Sequence, residues 1–397
     1  MFDVAVAGAG PAGATVARYL AKAGHSVCLI DKDEFPRDKP CGGGFSPAIV
    51  DEFPYLKKRK DEFVQAVCRV GVLHSPNQRV ALKGKADMAV ALRSVFDNVL
   101  YECAKEAGAN VVVGQRIKNI AIVRDGVSLG LAGGNTIRAR AIVGADGASS
   151  LVARSTGLNR SWSSSKITAC RVAEIPATER EIINTYTEDR EYHFFANFGG
   201  QPGYGWLFPK TGTINVGLGI VGKHSKGLPQ KFRVFVRHLK RKGLLQNDAD
   251  LHAAKGALVP TGGPIKDTVR NRCVLVGDSA GMVNPLTGGG IIYAMKAARI
   301  AARSLSGCLE QDQLAAFHLM KYHDSWLNDF GGDFKSQLLA QRIFTGFFTD
   351  TFFEIGSRDK TIQETVSSMM SEGSQGRNEV LALVGRFLYV CLREAIF

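Results

Sequence analysis

Short apolar runs broken by glycine open the chain. Val4-Ala5-Val6-Ala7 and Val27-Cys28-Leu29-Ile30 have the length and continuity of buried strands. Between them Ala14 to Ala23 carries a helical repeat closed by Gly24, so the pattern predicts a β-α-β unit. Strand-like runs return at Ala141-Ile142-Val143-Gly144 and Val274-Leu275-Val276. A helix is predicted from Arg93-Ser94-Val95-Phe96-Asp97 to Ala107-Gly108, with Val95, Phe96, Val99 and Leu100 on one face, and another from Ile291 to Leu305. A further helix is expected to start at Ser46-Pro47, as cap and first position.

The period changes mid-chain. Glu191–Asn197, Pro202–Pro209 and Thr213–Gly219 read as successive antiparallel strands, with turns at Gly199-Gly200 and Lys210-Thr211-Gly212. Tyr204, Trp206 and Phe208 alternate at period two and therefore share one face of that sheet. Residues 65–83 supply two more strands. Beyond residue 325 the pattern becomes helical and rich in phenylalanine: Phe344, Phe347, Phe348 and Phe352 form a stripe broadened by Phe353. Val384, Phe387, Leu388, Cys391, Leu392 and Ala395 form a second stripe. Such stripes are core packing, or the lining of a long apolar tunnel or membrane-resting entrance.

The glycines add chemistry to this framework. Gly8-Ala9-Gly10-Pro11-Ala12-Gly13 lies between the first strand and its helix, and the second strand ends at Asp31, about 20 residues on, followed by Lys32. In such a loop Gly8 makes the tight turn, Gly10 lets the backbone approach a pyrophosphate, and Gly13 lets helix and strand pack closely. The helix N-terminus then faces phosphate, and Asp31 accepts hydrogen bonds from ribose hydroxyls. A second, differently built segment comes late: Gly277-Asp278-Ser279-Ala280, then Gly288-Gly289-Gly290-Ile291 opening a helix. Two loops of different design imply one long cofactor held at both ends, FAD. Asp278 is placed to bind the ribityl chain or water beside the pyrophosphate. A third fragment, Asp146-Gly147 after a strand, with Arg154 beyond, belongs to the same set. Arg93 either pairs with cofactor phosphate or makes a salt bridge on its helix. No Gly-x-Gly-x-x-Gly recurs mid-chain, so electrons must come from outside, from NAD(P)H or a ferredoxin-like protein.

Composition narrows the classes further. The chain has 397 residues, 45% hydrophobic and 22% charged, a globular profile with room for two domains. No run approaches the roughly 18 apolar residues of a membrane span. Asp3 and the glycine turn argue against an export signal. Eight cysteines without a Cys-x-x-Cys pair argue against a disulfide scaffold, a metal site or an iron–sulfur cluster, so a reducing cytoplasm is expected. The formal charge of +13 is concentrated in Lys57-Lys58-Arg59-Lys60 and in Lys231, Arg233, Arg237, Lys240, Arg241 and Lys242. These are solvated helix faces, or they attract anionic lipid head groups on the cytoplasmic membrane face or a phosphorylated substrate. Nucleic acid is disfavoured, because aromatic residues do not interleave with the basic ones. The segment Phe35-Pro36-Arg37-Asp38-Lys39-Pro40-Cys41-Gly42-Gly43-Gly44 places Cys41 in closely approached backbone rather than in a regular element, and Cys41 is the cysteine expected to function.

Taken together, these motifs resemble the geranylgeranyl reductase family, typified by the digeranylgeranylglycerophospholipid reductases, within the wider para-hydroxybenzoate hydroxylase-like flavoproteins. Gly8, Gly10 and Gly13, Asp146-Gly147 with Arg154, and Gly277-Asp278 carry the wider likeness; Cys41-Gly42-Gly43-Gly44 and Tyr204-x-Trp206-x-Phe208-Pro209 carry the narrower one. The resemblance spans residues 1 to about 325. It implies an α/β plus α+β protein: a Rossmann-like FAD-binding domain (1–65, 84–165, 265–325), an inserted antiparallel-sheet substrate domain (66–83, 166–264) and a C-terminal helical region (326–397). It implies cofactor contacts from Gly8, Gly10, Ala12, Gly13, Asp31, Lys32, Cys41, Gly42, Arg93, Asp146, Gly147, Gly277, Asp278 and Gly288 to Ile291. It further implies catalytic roles for Cys41, Tyr204, Trp206 and Phe208 in a basic-flanked aromatic cavity. The implied reaction saturates isoprenoid double bonds of archaeal-type lipids, by hydride from reduced flavin N5 plus a proton. The alternatives are a flavin monooxygenase or epoxidase, separated by oxygen-dependent gain of one oxygen, and a non-catalytic prenyl-lipid carrier, separated by lipid binding without flavin reoxidation.

Overall fold

Continuous apolar strands bury both faces, and those of the N-terminal unit form the centre of a largely parallel sheet. In the computed structural model, which describes residues 1–246, 251, 253–346, 349–370, 381–383, 385–387, 389–390 and 393, this sheet runs in the order Val269–Arg270, Cys273–Leu275, Thr136–Gly144, Phe2–Ala7, Val27–Ile30, Asn110–Val112. The four central pairings are parallel. A hairpin, Ile117–Val123 and Gly126–Leu131, extends from Thr136–Gly144. The helix Pro11–Lys22 packs between Arg93–Glu106 and Ile291–Glu310. Val4, Val6, Leu29, Ala141 and Val143 are buried beneath them.

The second sheet runs Lys255–Val259, Thr168–Pro176, Thr213–Val221, Gly203–Pro209, Tyr192–Ala196, Ala66–His74, Ala81–Val90, Gly44–Phe45. It is mixed rather than purely antiparallel, because Tyr192–Ala196 pairs parallel with Ala66–His74. It also takes residues 66–90, not 66–83: the strand Ala81–Val90 keeps its pairing to the end, where Val90 meets both Ala66 and Gly44. One face is covered by Glu179–Tyr186 and the basic helix Leu228–Arg241, whose Phe232, Phe235, Val236 and Leu239 meet Val216, Leu218 and Ile220. The other face carries Trp206, Phe208, Tyr192 and Cys170. Alternation along a strand thus gives the sheet one packing face and one site face.

One helix expectation needs correction. No helix starts at Ser46-Pro47; the Ser46 hydroxyl accepts the Ala48 N–H at 3.3 Å, and the short helix Ile49–Glu52 follows that turn. In the C-terminal region Phe344, Phe352, Phe353 and Phe387 pack together with Ile362 and Val366. Phe347, Phe348, Val384, Leu388, Cys391, Leu392 and Ala395 lie outside the described residues.

Candidate cofactor and lipid site

A single continuous cavity of about 290 Å³ joins the two sheets. On the dinucleotide side it is bounded by Pro11, Asp278, Gly288, Gly289, Gly290 and Ile291, and on the other by Tyr204, Trp206 and Phe208, with Cys41 and Gly42 between. Two helices, Pro11–Lys22 and Ile291–Glu310, begin at its wall and direct their unsatisfied first-turn N–H groups there.

The three loop glycines do different work. Gly8 has φ +96°, and a Cβ there would stand 2.4 Å from the Ala145 carbonyl oxygen. At Gly13 a Cβ would sit 1.7 Å from the Gly8 oxygen, so helix and loop touch through backbone. At Gly10 a Cβ would meet only the tip of Arg37, at 3.4 Å, which leaves the loop crest open to a ligand. Arg37 Nη2 pairs with Asp97 at 3.0 Å, whereas its Nη1 is buried without a hydrogen-bond partner. An orphaned guanidinium N–H beside the open glycine crest at the start of Pro11–Lys22 offers donors to a pyrophosphate, and the start of Ile291–Glu310 faces the same cavity, so the residues present fit FAD.

Asp31 is 8% exposed and braces the same loop, its Oδ2 accepting the Ala9 N–H at 2.7 Å and its Oδ1 the Asp33 N–H at 3.0 Å. Asp278 reaches the cavity, with Lys39 Nζ 3.9 Å away. Gly277 has φ +65° and packs against Ala12 and Ala294. Cys41 lines the cavity, where its Sγ accepts the Gly43 N–H at 3.4 Å and stands beside Arg93. Cys170 shares the cavity wall, but burial pushes its thiol up to about 12.

The aromatic wall is held by ring edges. Phe194 meets Phe208 at 5.4 Å and Tyr204 at 5.5 Å, and Tyr204 meets Trp206 at 5.7 Å. The Tyr204 hydroxyl donates to the Thr287 carbonyl, tying the wall to the late glycine segment. A Cβ at Gly217 would stand 2.0 Å from the Trp206 ring, so this glycine is the floor on which the indole lies. The cavity crosses seven strands, from Ala257 and Val259 to Leu73 and Met88.

The family model described as an FAD binding domain matches residues 1–324. Digeranylgeranylglycerophospholipid reductase 2 of Methanopyrus kandleri is 33% identical over 355 residues, covering 87% of each chain. The chain belongs to the digeranylgeranylglycerophospholipid reductase family. Menaquinone reductase of Mycobacterium tuberculosis is 31% identical over 319 residues, covering 76% of each. Among solved structures, a geranylgeranyl bacteriochlorophyll reductase-like protein of Thermoplasma acidophilum shares the fold, with a TM-score of 0.82 at 22% identity, covering 96% of this chain and 95% of that one.

Within this reductase fold several expected site residues take other roles. Arg93 lines the cavity with Nε and Nη2 both bound to Asp97, four residues on, at 2.7 Å, and the pair is buried. Burial opposes the Arg93 charge, yet Asp97 and Cys41 hold its pKa above the usual value. Asp97 is likewise held below the carboxylate range against the effect of burial, by Arg93 first and then Arg37. Asp146 is occupied in capping the helix Leu151–Ser155, accepting from the Ser150 hydroxyl and from the N–H groups of Leu151 and Val152. Gly147, with φ +77°, turns the chain behind it. Lys32 is exposed and faces Asp33 at 3.9 Å, away from the cavity. Arg154 donates to the Ser149 carbonyl.

Nor is the cavity flanked by the basic clusters. The helix Leu228–Arg241 covers the opposite face of the aromatic sheet, and Arg59 pairs with Glu62 and Glu106. Among the described residues the charged side chains lining the cavity are Lys39, Arg93 and Asp278. No helix among the described residues is long and apolar enough to cross a membrane, and no cluster of three or more His, Cys, Asp or Glu there could hold a metal. Arg37 and Asn215 are the site residues that sequence reading missed.

Proposed function

We propose that the protein is an FAD-dependent reductase that saturates C=C bonds of geranylgeranyl chains, foremost in digeranylgeranylglycerol phospholipids. The observation that carries this reading is the long apolar cavity, which crosses the aromatic sheet and meets the cofactor loops beneath Tyr204, Trp206 and Phe208. Bound and reduced, FAD supplies the hydride for one alkene carbon. The protein's own residues do the remainder. Gly10, Pro11, Arg37, Asp278 and the segment Gly288–Ile291 would hold the cofactor. The aromatic rings exclude water and align an alkene that has no carbonyl to polarise, and their faces stabilise positive charge developing on the carbon that takes the hydride as the proton reaches the other. Cys41 Sγ, at the cavity wall beside Arg93 and the Gly43 N–H, is placed to deliver the proton to the second carbon. Hydride and proton together account for the two hydrogens gained.

A lipid chain enters from the membrane surface and electrons from an external donor, a nicotinamide cofactor or a redox protein. The test is anaerobic incubation of dithionite-reduced, FAD-loaded protein with an unsaturated archaeal-type phospholipid, read as product mass rising in two-hydrogen steps. No mass change with several prenyl lipids, together with oxygen-dependent gain of one oxygen, would move the assignment to a monooxygenase. The menaquinone reductase relative makes a prenylated quinone the second substrate to assay. Full turnover by Cys41→Ser would remove the thiol from this scheme.

A further inference from the structure

The aromatic wall and the cysteine loop come from distant parts of the chain, and one carboxamide joins them. Asn215 is wholly buried, a polar residue between Ile214 and Val216 in an otherwise apolar strand. Its Oδ1 accepts the Trp206 indole N–H at 2.7 Å; its Nδ2 donates to the Cys41 carbonyl at 2.9 Å and to Glu174 Oε1 at 2.7 Å. An indole N–H only donates, and a carbonyl or carboxylate only accepts, so these partners dictate which end of the amide is oxygen. Glu174 is held in turn by Lys210 Nζ at 2.5 Å and the Thr213 hydroxyl at 3.2 Å. Lys210 is itself wholly buried, its Nζ 3.1 Å from where a Cβ on Gly43 would stand.

We infer that Asn215 is a positioning residue, which sets the slot between the Trp206 ring and the Cys41-Gly42 loop, while the Glu174–Lys210 pair fixes the orientation of its amide. The inference rests on the reductase reading for its functional meaning. Neither Asn215 nor its two charged supports lines the cavity, so they act through Trp206 and Cys41. A satisfied network with Asn215 and Lys210 buried and Glu174 half-buried holds its members in place, and a loop of consecutive glycines has little stiffness of its own. Without Asn215 the indole N–H and the Cys41 carbonyl lose a shared partner, and wall and loop move independently.

Peptide-resolved alkylation of Cys41 by iodoacetamide, in FAD-loaded protein without lipid, tests this directly. Asn215→Ala is expected to accelerate alkylation roughly tenfold or more, the scale of a lost buried hydrogen bond. Trp206→Phe, which keeps a ring and loses the N–H, accelerates it less, and the double variant is no faster than Asn215→Ala alone. In lipid turnover Asn215→Ala lowers kcat more than it raises KM. Alkylation at the wild-type rate in Asn215→Ala, or independent multiplication of the two effects in the double variant, overturns the inference. If Asn215→Ala does not retain FAD, Trp206→Phe and Glu174→Gln decide: wild-type alkylation in both overturns it. Failure of the wild-type protein to reduce any prenyl lipid would remove the reductase reading and leave the alkylation result standing.

Discussion

The two sheets meet at one cavity but use the polypeptide in opposite ways. The dinucleotide sheet presents backbone: glycine loops, helix N-termini and carboxylates turned inward to brace them, as Asp31 braces Ala9 and Asp146 caps Leu151–Ser155. The aromatic sheet presents side chains, and glycine appears there as the floor beneath a ring, as at Gly217. At the cofactor end the backbone contacts at Gly8 and Gly13 leave no room for an added atom, whereas at the lipid end the ring side chains themselves form the wall.

Substitutions at the two ends probe this difference. The largest effect is expected at Gly13→Val, whose Cβ would overlap the Gly8 carbonyl oxygen: no FAD-loaded protein should be recovered, as read by flavin absorbance of the purified chain. Stoichiometric flavin in that variant would show the loop to be pliable. Next is Trp206→Ala, expected to cut alkene reduction on the order of 100-fold while FAD stays bound, the cost of losing alignment rather than cofactor. Loss of flavin in parallel with activity would erase the distinction between the two ends. Arg37→Met should weaken FAD binding about 10- to 100-fold by equilibrium titration, the range for a charge-assisted hydrogen bond, with Asp97 still paired to Arg93. An unchanged FAD dissociation constant would take Arg37 out of the cofactor site.

The smallest effect concerns stability behind the aromatic sheet. His74 Nε2 lies 3.0 Å from His193 Nδ1, both rings are buried, and Phe195 stacks on His74. Burial, and for His74 also His193, Lys242 and His238, lowers their pKa values to about 3 and about 4; Lys83 adds to the effect at His193. The unfolded chain takes up protons near pH 6.5, before the folded one does, so this contribution is complete above pH 6.5 and falls as pH drops toward 4. The loss is on the order of 1 kcal/mol per ring at pH 5.5. His193→Phe should flatten the dependence of the thermal midpoint on pH; an unchanged slope would place the acid sensitivity elsewhere.

The legible parts of the chain are those whose logic is local. Gly8, Gly10 and Gly13 are spaced as one loop between a strand and its helix, with Gly13 packed on the Gly8 carbonyl, and Tyr204, Trp206 and Phe208 share a face through strand alternation alone. What escaped the sequence depends on competition for partners. Arg93 suits a phosphate until Asp97, one helical turn away, is buried beside it, and Asp146 suits a cofactor until the following helix needs a cap. Arg37 is one basic residue in a polar stretch until the loop folds over Gly10. Asn215 did leave a trace, a carboxamide among the apolar residues of a buried strand, but its partners Cys41 and Glu174 are distant in sequence. The boundary at residue 83 fell short because the strand Ala81–Val90 continues through Gly84 and Lys85 to Val90.

The continuity of the cavity has a consequence for timing. Under the proposed reductase reading, a prenyl chain lying under Trp206 would cover the cofactor face in this cavity. Any electron donor that enters by the same cavity would then have to leave before lipid arrives, and excess lipid is expected to slow turnover by keeping such a donor out.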